Sequence, residues 1–338
     1  MTTNPILTEA IERIASGGDL EAGEAERVLR EVMEGRSGEA QTAAFLIGLR
    51  TKGETVQEIA GLAAAMRALA LRVDAGDRLV DTAGTGGGRP TFNVSTTAAF
   101  VAAGAGCRVA KHGNRSATSQ CGSADVLEAL GARIDLEPQE VASCIDQVGF
   151  GFMFAPKHHA AMKHVVPVRR ALGVRTVFNV LGPLTNPAGA RRQVIGVSDP
   201  ERLETIAAAL RELGTDRAVV VSSADGLDEF SVSGETRVVE LREGRLDAYD
   251  VTPEQVGLEL AANGAVGAGT PDENAGVLRR VLEGGPGAER SLALLNAAAA
   301  IYVDGRAESL AEGVESARES IDSGAAAATL DRWLELTR

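Results

Sequence analysis

The sequence predicts an α/β protein: a small all-helical unit at the N-terminus, then a large unit around a mainly parallel central sheet. Three observations carry that expectation. Residues 7–70 keep a helical spacing of apolar side chains throughout, and from Leu79 onward short apolar runs alternate with helical patterns. No internal repeat or low-complexity linker interrupts the 338 residues. Strands that alternate with helices are joined by crossovers, and crossovers produce parallel pairing. The length suits one large domain and a smaller one.

The elements follow in order. Leu7, Ile11 and Ile14 share one helical face, as do Val28, Leu29 and Met33, then Phe45, Leu46 and Leu49. Thr55-x-x-Glu58 is a capping box opening a helix through Ile59, Leu62, Met66 and Leu69. The boundary is expected between residues 1–72 and 73–338. Strands are expected at Leu79-Val80, Arg108-Val-Ala110, Ile134, Phe152-Met-Phe154, Val194-Ile-Gly-Val197 and Ala218-Val-Val-Val221, with helices at 94–105, 123–131, 138–148 and 200–213. A long connection containing His, Arg and Pro fills 156–190, Val232 to Tyr249 reads as a β-hairpin turning at Gly234 and Gly244, and 275–337 reads as Ala-rich helices.

Composition narrows the function classes. Aromatics make up 3% of the chain, so Ala, Val, Leu and Ile must fill the core. A net charge of −13 speaks against a broad nucleic-acid surface, which needs many Lys and Arg contacts to phosphates. Three cysteines without a CxxC pair fit a reducing compartment and neither a disulfide frame nor a zinc site. The first residues lack a charged-then-apolar leader, and no run of ~18 apolar residues occurs, so a cytoplasmic protein without a membrane partner is expected.

The chemistry concentrates in a few segments. Asp81-Thr-Ala-Gly-Thr-Gly-Gly-Gly88 follows the apolar Leu79-Val80 and precedes a helix start at Asn93-Val-Ser-Thr96. Strand, glycine turn and helix start form the layout of an anion cradle, where loop N–H groups and the helix dipole converge. Alone, such a turn needs no ligand. It is no dinucleotide fingerprint, because Arg89 stands where the third glycine belongs, and no GxxxxGK occurs. Lys111-His-Gly-Asn-Arg115 lies at the C-terminal end of the next strand, where parallel sheets bind ligands. The chain has only four lysines against thirty arginines, which makes Lys111 less easily filler. Asp228-Glu229 follows another strand, and adjacent carboxylates suit Mg²⁺. Arg169 and Arg170 can clamp a carboxylate in two-pronged fashion.

Taken together, Asp81-x-x-Gly-Thr-Gly-Gly87, Thr91-Phe-Asn-Val-Ser-Thr96, Lys111-His-Gly-Asn-Arg115 and Gly122-Ser-Ala-Asp125 resemble anthranilate phosphoribosyltransferases. So do His159-Ala-Ala-Met-Lys-His164, Pro167-Val-Arg169, Arg175-Thr-Val-Phe-Asn179, Gly182-Pro-Leu-Thr-Asn-Pro-Ala188 and Asp225-Gly-Leu-Asp-Glu229, in matching order over nearly the whole chain. The resemblance implies the nucleoside phosphorylase/phosphoribosyltransferase type of fold, with part of 165–185 returning to the helical domain and a homodimer formed through that domain. It implies transfer of a phosphoribosyl group from phosphoribosyl pyrophosphate (PRPP) to anthranilate. For the donor it implicates Gly84, Gly87, Gly88, Thr91, Asn93, Val94, Ser95 and Thr96. It adds Lys111, His112, Gly113, Asn114, Arg115, Ser116, Ala117, Thr118, Ser119 and Ser123. Gly84, His112, Asn114, His159 and Arg169 are implicated for the acceptor, and Ser95, Asp228 and Glu229 for Mg²⁺. The chain departs at Gly88, where the family loop usually carries Asp, and the loop to Thr91 looks one residue shorter. The alternatives are a pyrimidine nucleoside phosphorylase of the same fold and a non-catalytic nucleic-acid-binding relative, the latter disfavoured by the net charge.

Overall fold

Four helices open the chain: α1 (Pro5–Ala15), α2 (Ala22–Met33), α3 (Glu39–Lys52) and α4 (Val56–Ala68). In this computed structural model residues 3–116 and 120–338 are described. Asn4 caps α1 by accepting the amides of Ile6 and Leu7, and the Thr55–Glu58 box closes reciprocally on α4 at 2.8 and 3.2 Å. Glu58 does more than cap. Its buried carboxylate also takes the Leu20 amide and the Lys52 ammonium.

The central sheet comprises β1 (Val80–Gly84), β2 (Val109–Gly113), β3 (Phe150–Phe154), β4 (Arg192–Gly196), β5 (Arg217–Ser223), β6 (Thr236–Arg242) and β7 (Arg245–Val251), in the order β3-β2-β1-β4-β5-β6-β7. The first five strands pair in parallel, and β6 and β7 add an antiparallel edge. The chain moves outward from β1 to β3, then returns to the other side of β1 with β4. That reversal opens a crevice beyond the C-terminal ends of β1 and β4, the place where open α/β sheets bind ligands.

The crossovers are α5 (Val94–Gly104), α6 (Ser123–Ala129) and α7 (Pro138–Val148), then α8 (Ala155–His158), α9 (Val166–Leu172), α10 (Phe178–Leu181) and α11 (Leu203–Glu212). Four more close the fold: α12 (Pro271–Leu282), α13 (Ala288–Asp304), α14 (Leu310–Asp322) and α15 (Ala325–Leu336). Two cores result. One holds α5, α13 and a Phe100–Phe150 stack at 4.1 Å beside Trp333. The other joins α1–α4 to Val165, Val168 and Phe178, to α11, and to the opposite sheet face through Ile195, Val220 and Val239.

Two expectations fail locally. Ile134 forms no strand; it is buried in an irregular connection between α6 and α7, so its apolarity serves the core without a ladder partner. Gly234 lies in a bend ahead of β6, and the hairpin turns only at Glu243 and Gly244. Both have positive φ, 54° and 76°, as a two-residue turn matched to strand twist requires.

Candidate active site

The glycine loop leaves β1 at the crevice. Gly86 and Gly87 adopt φ of 68° and 86°, which side chains with a Cβ rarely tolerate. The Gly86 N–H donates to Asp228 Oδ2 at 2.9 Å, and its carbonyl accepts Arg175 Nη2 at 2.9 Å and Ser198 Oγ at 3.0 Å. The loop is therefore held from both sides. Gly88 makes a close approach: a Cβ there would stand 2.7 Å from Asp228 Oδ1, 2.8 Å from its N and 2.9 Å from Gly226 O. The departure at 88 is thus more than a missing carboxylate, because a side chain would force loop and turn apart.

Asp228 and Glu229 sit on the turn after β5, in one pocket with Thr82, Ser95, Gly196 and Asn296. Burial raises both carboxyls above their ordinary range, and for Glu229 the Asp228 charge adds to it. The Ser95 backbone at the start of α5 pulls the Glu229 carboxyl down only slightly against these effects, and its Oε2 is buried without a partner among the described residues. A carboxylate at a helix N-terminus is favoured by the dipole. Glu229 and the start of the helix expected to cradle phosphate thus face the same pocket.

Does this donor set fit Mg²⁺? Two like charges side by side and an orphaned carboxylate oxygen call for a cation, and Ser95 Oγ adds a third hard oxygen. Among the described residues no group of three or more His, Cys, Asp or Glu forms a metal cage. Mg²⁺ is ordinarily held by one or two carboxylates together with water and phosphate oxygens, so the set fits.

Lys111 lies on β2, 2% exposed, beneath this pocket. Its Nζ donates to Thr82 O at 2.5 Å, Thr82 Oγ1 at 3.3 Å and Ser95 Oγ at 3.2 Å. Burial lowers its pKa to about 8, against the attraction of Asp81 and Glu229. Asp81 is raised by burial and accepts the His112 amide at 3.1 Å and Asn186 Nδ2 at 2.7 Å. His112 and His159 are buried with ring centroids 5.1 Å apart. Burial takes His159 down to about 4 and His112 well below its ordinary value, so both are neutral at pH 7.

Several expected site residues face elsewhere. Val94 and Thr96 are buried on the core side of α5, because its apolar composition packs nearly every face. Thr91 Oγ1 turns back on Phe92 O at 3.0 Å. Asn93 does not cap α5 through its side chain; its amide meets Cys121 O and Asn274 Nδ2. Arg115 is captured by Asp125 and Glu128 and lies over the Phe154 ring. Gly84, Gly87 and Asn114 are exposed at the strand ends, and Gly113, Ser116 and Ser123 are half-buried beside them. The Ser123 hydroxyl donates to Asn114 O at 3.3 Å. Ala117, Thr118 and Ser119 lie outside the described residues. Arg169, half-buried on α9 with its guanidinium 5.3 Å above the Phe178 ring, has no carboxylate partner among the described residues, whereas Arg170 is exposed.

The structure also gives contacts to residues for which the sequence assigned no role at the site, Arg175 and Asn186 having entered only as parts of resemblance motifs. Arg175 grips the loop carbonyl, Asn186 bridges Asp81 and Ala110 O, and Asn274 reaches Asn93 from α12. Gly196 on β4 touches the backbone of Asp228 so closely that any Cβ would overlap its carbonyl. Each partner is distant in the chain, so spacing alone gives no signal.

The helical unit and the α/β unit each match a model of the glycosyl transferase family. Its helical bundle domain matches residues 8–70 and its a/b domain residues 76–327. A protein of Rubrobacter xylanophilus called anthranilate phosphoribosyltransferase is 53% identical over 335 residues, 98% of each chain. The crystal structure of the Thermus thermophilus anthranilate phosphoribosyltransferase superposes with a TM-score of 0.92 at 47% identity, covering 97% of this chain and 99% of that one. The Saccharomyces cerevisiae enzyme in complex with PRPP and Mg gives 0.90 at 28% identity, over 99% and 98%. The chain belongs to the glycosyl transferase family and, within it, to the anthranilate phosphoribosyltransferases.

Proposed function

We propose that this chain transfers the 5-phosphoribosyl group of PRPP to the amine of anthranilate, giving N-(5-phosphoribosyl)anthranilate and pyrophosphate, a step of tryptophan biosynthesis. Membership in the family supports the reaction. The observation that carries it is the direct contact between a glycine loop and the Asp228–Glu229 turn at the switch point.

In the reaction the C1–O bond to pyrophosphate breaks as the amine nitrogen bonds C1, and the amine proton is lost to solvent. The enzyme must hold the donor and stabilise the departing negative charge. Loop amides around Gly84–Gly88 and the exposed strand ends near Asn114 are suited to the donor's phosphates. Ser95, Asp228 and Glu229 would hold Mg²⁺, which as a Lewis acid offsets pyrophosphate charge. Lys111 supports Ser95 and Thr82 from below, contributing positive charge to the pocket without reaching solvent. Arg169 would meet the anthranilate carboxylate, with Asn114 and the neutral rings of His112 and His159 beside it. An aryl amine is neutral at pH 7, so no strong general base is needed.

The remaining parts of the reading are a helical domain at 1–72 to which part of 165–185 returns, a donor-binding α/β domain at 73–338, a homodimer through the helical unit, and a cytoplasmic location. Among the described residues no helix is long and apolar enough to cross a membrane. Loss of anthranilate fluorescence with PRPP and Mg²⁺ tests the activity, with thymidine plus phosphate as control. Turnover of the control alone would replace the transferase reading with the phosphorylase.

A further inference from the structure

Arg89 follows the last glycine of the loop and fastens it to the metal-side turn. Its N–H donates to Gly226 O at 2.7 Å, its Nη2 pairs with Asp225 Oδ2 at 2.8 Å, and its Nε donates to Asp225 O at 3.3 Å. Nη1 donates to Val266 O at 3.2 Å. The Asp225 side chain is 5% exposed and also accepts the hydroxyls of Ser223 and Ser231 at 2.7 and 2.9 Å. Among the described residues this is the only ion pair joining the loop to the turn that carries Asp228 and Glu229.

The need for such a fastening follows from the loop's composition. Four glycines in five positions have large conformational freedom, and ordering them is costly. Gly88 then brings loop and turn backbone to backbone, a contact that holds only while the two segments stay docked. We infer that Arg89 is a positioning residue: through Asp225 it docks the glycine loop on the Asp228–Glu229 turn and presets both ends of the donor's pyrophosphate site. The inference rests on the donor-binding reading above.

Hydrogen exchange of ligand-free protein, followed by mass spectrometry over residues 84–91 and 223–231, tests the docking. Steady-state kinetics test its consequence. Arg89→Ala is expected to speed exchange in both segments about tenfold or more, and to raise the PRPP KM about tenfold to a hundredfold, the range of a charge-assisted contact. The anthranilate KM should stay within about twofold. Arg89→Lys keeps the charge but not the fork, so it should recover part of the loss. Unchanged exchange overturns the inference, and so does faster exchange with an unchanged PRPP KM. If Arg89→Ala does not fold, Asp225→Asn, which keeps the side chain's size but removes its charge and one acceptor oxygen, takes its place under the same criteria. A wild type inactive on both substrates would remove the proposed activity. Exchange, with calorimetry of Mn²⁺–pyrophosphate binding in wild type and variant, would still decide the docking: weaker binding in the variant supports it, equal binding rejects it.

Discussion

Glu229 is costly to keep. Burial and the Asp228 charge hold its proton on well above the ordinary 4.5, so the folded chain binds that proton more tightly than the unfolded one. Its contribution to stability is therefore full below pH 4.5 and is lost as pH rises through the folded value. Glu229→Gln should raise the Tm of the free enzyme at about pH 8, show no gain near pH 4, and abolish turnover. Calorimetry across that range checks it; a lower Tm at pH 8 would show the carboxylate to be net stabilising. Arg169 presents the complementary case on the acceptor side. Its desolvated guanidinium has a ring beneath it and no carboxylate among the described residues. A charge-assisted contact is worth roughly 1.5–3 kcal/mol. Arg169→Ala should raise the anthranilate KM by about one to two orders of magnitude and leave the PRPP KM alone. If both KM values rise together, the assignment to the acceptor is wrong.

Between elements, glycine decides how closely backbones meet. Gly61 on α4 lies against Ala22 at the start of α2, and a Cβ would overlap the Ala22 carbonyl. Gly276 on α12 is exposed, with nothing within 4 Å of a Cβ. Ala in place of Gly inside a helix gains about 0.5–1 kcal/mol, whereas overpacking costs about 1–3 kcal/mol. Gly276→Ala should therefore raise Tm, while Gly61→Ala should lower it with both KM values unchanged. Thermal unfolding of the two variants side by side measures the balance, and a stabilised Gly61→Ala would show that α2 and α4 can slide apart freely.

The whole molecule corrects one argument for assembly. The helical unit looks too small to bury its own apolar faces, which suggests that a second subunit must cover one. Within the chain, however, α9, α11 and the sheet face already cover α1–α4, and Ile6 is the one large apolar side chain of these four helices left exposed among the described residues. A dimer therefore needs a narrower basis. α3 packs against both α1 and α9, and Ile6 and Val166 on those flanking helices are exposed. A second copy is expected to seat there. Sedimentation at micromolar concentration should give twice the 35.0 kDa chain mass, and Ile6→Glu with Val166→Glu should halve it. A 35.0 kDa species in wild type rejects the dimer.

Local order was legible in the sequence. Apolar spacing marked the helices of residues 7–70 and the parallel strands, and Thr55-x-x-Glu58 marked a cap, because these signals act between residues a few positions apart. The glycine loop, Lys111 and Asp228-Glu229 were legible as residue types with chemistry at strand ends. Their arrangement was not. Only the fold turned Lys111 inward beneath Ser95, buried Val94 and Thr96, spent Arg115 on Asp125 and Glu128, and placed Glu229 in one pocket with Ser95. The same holds for Arg175, Gly196 and Arg89, whose partners lie 89, 32 and 136 positions away. A side chain's type is local, but which way it faces and which charge it meets depend on sheet order, and sheet order is set by burying the two cores together.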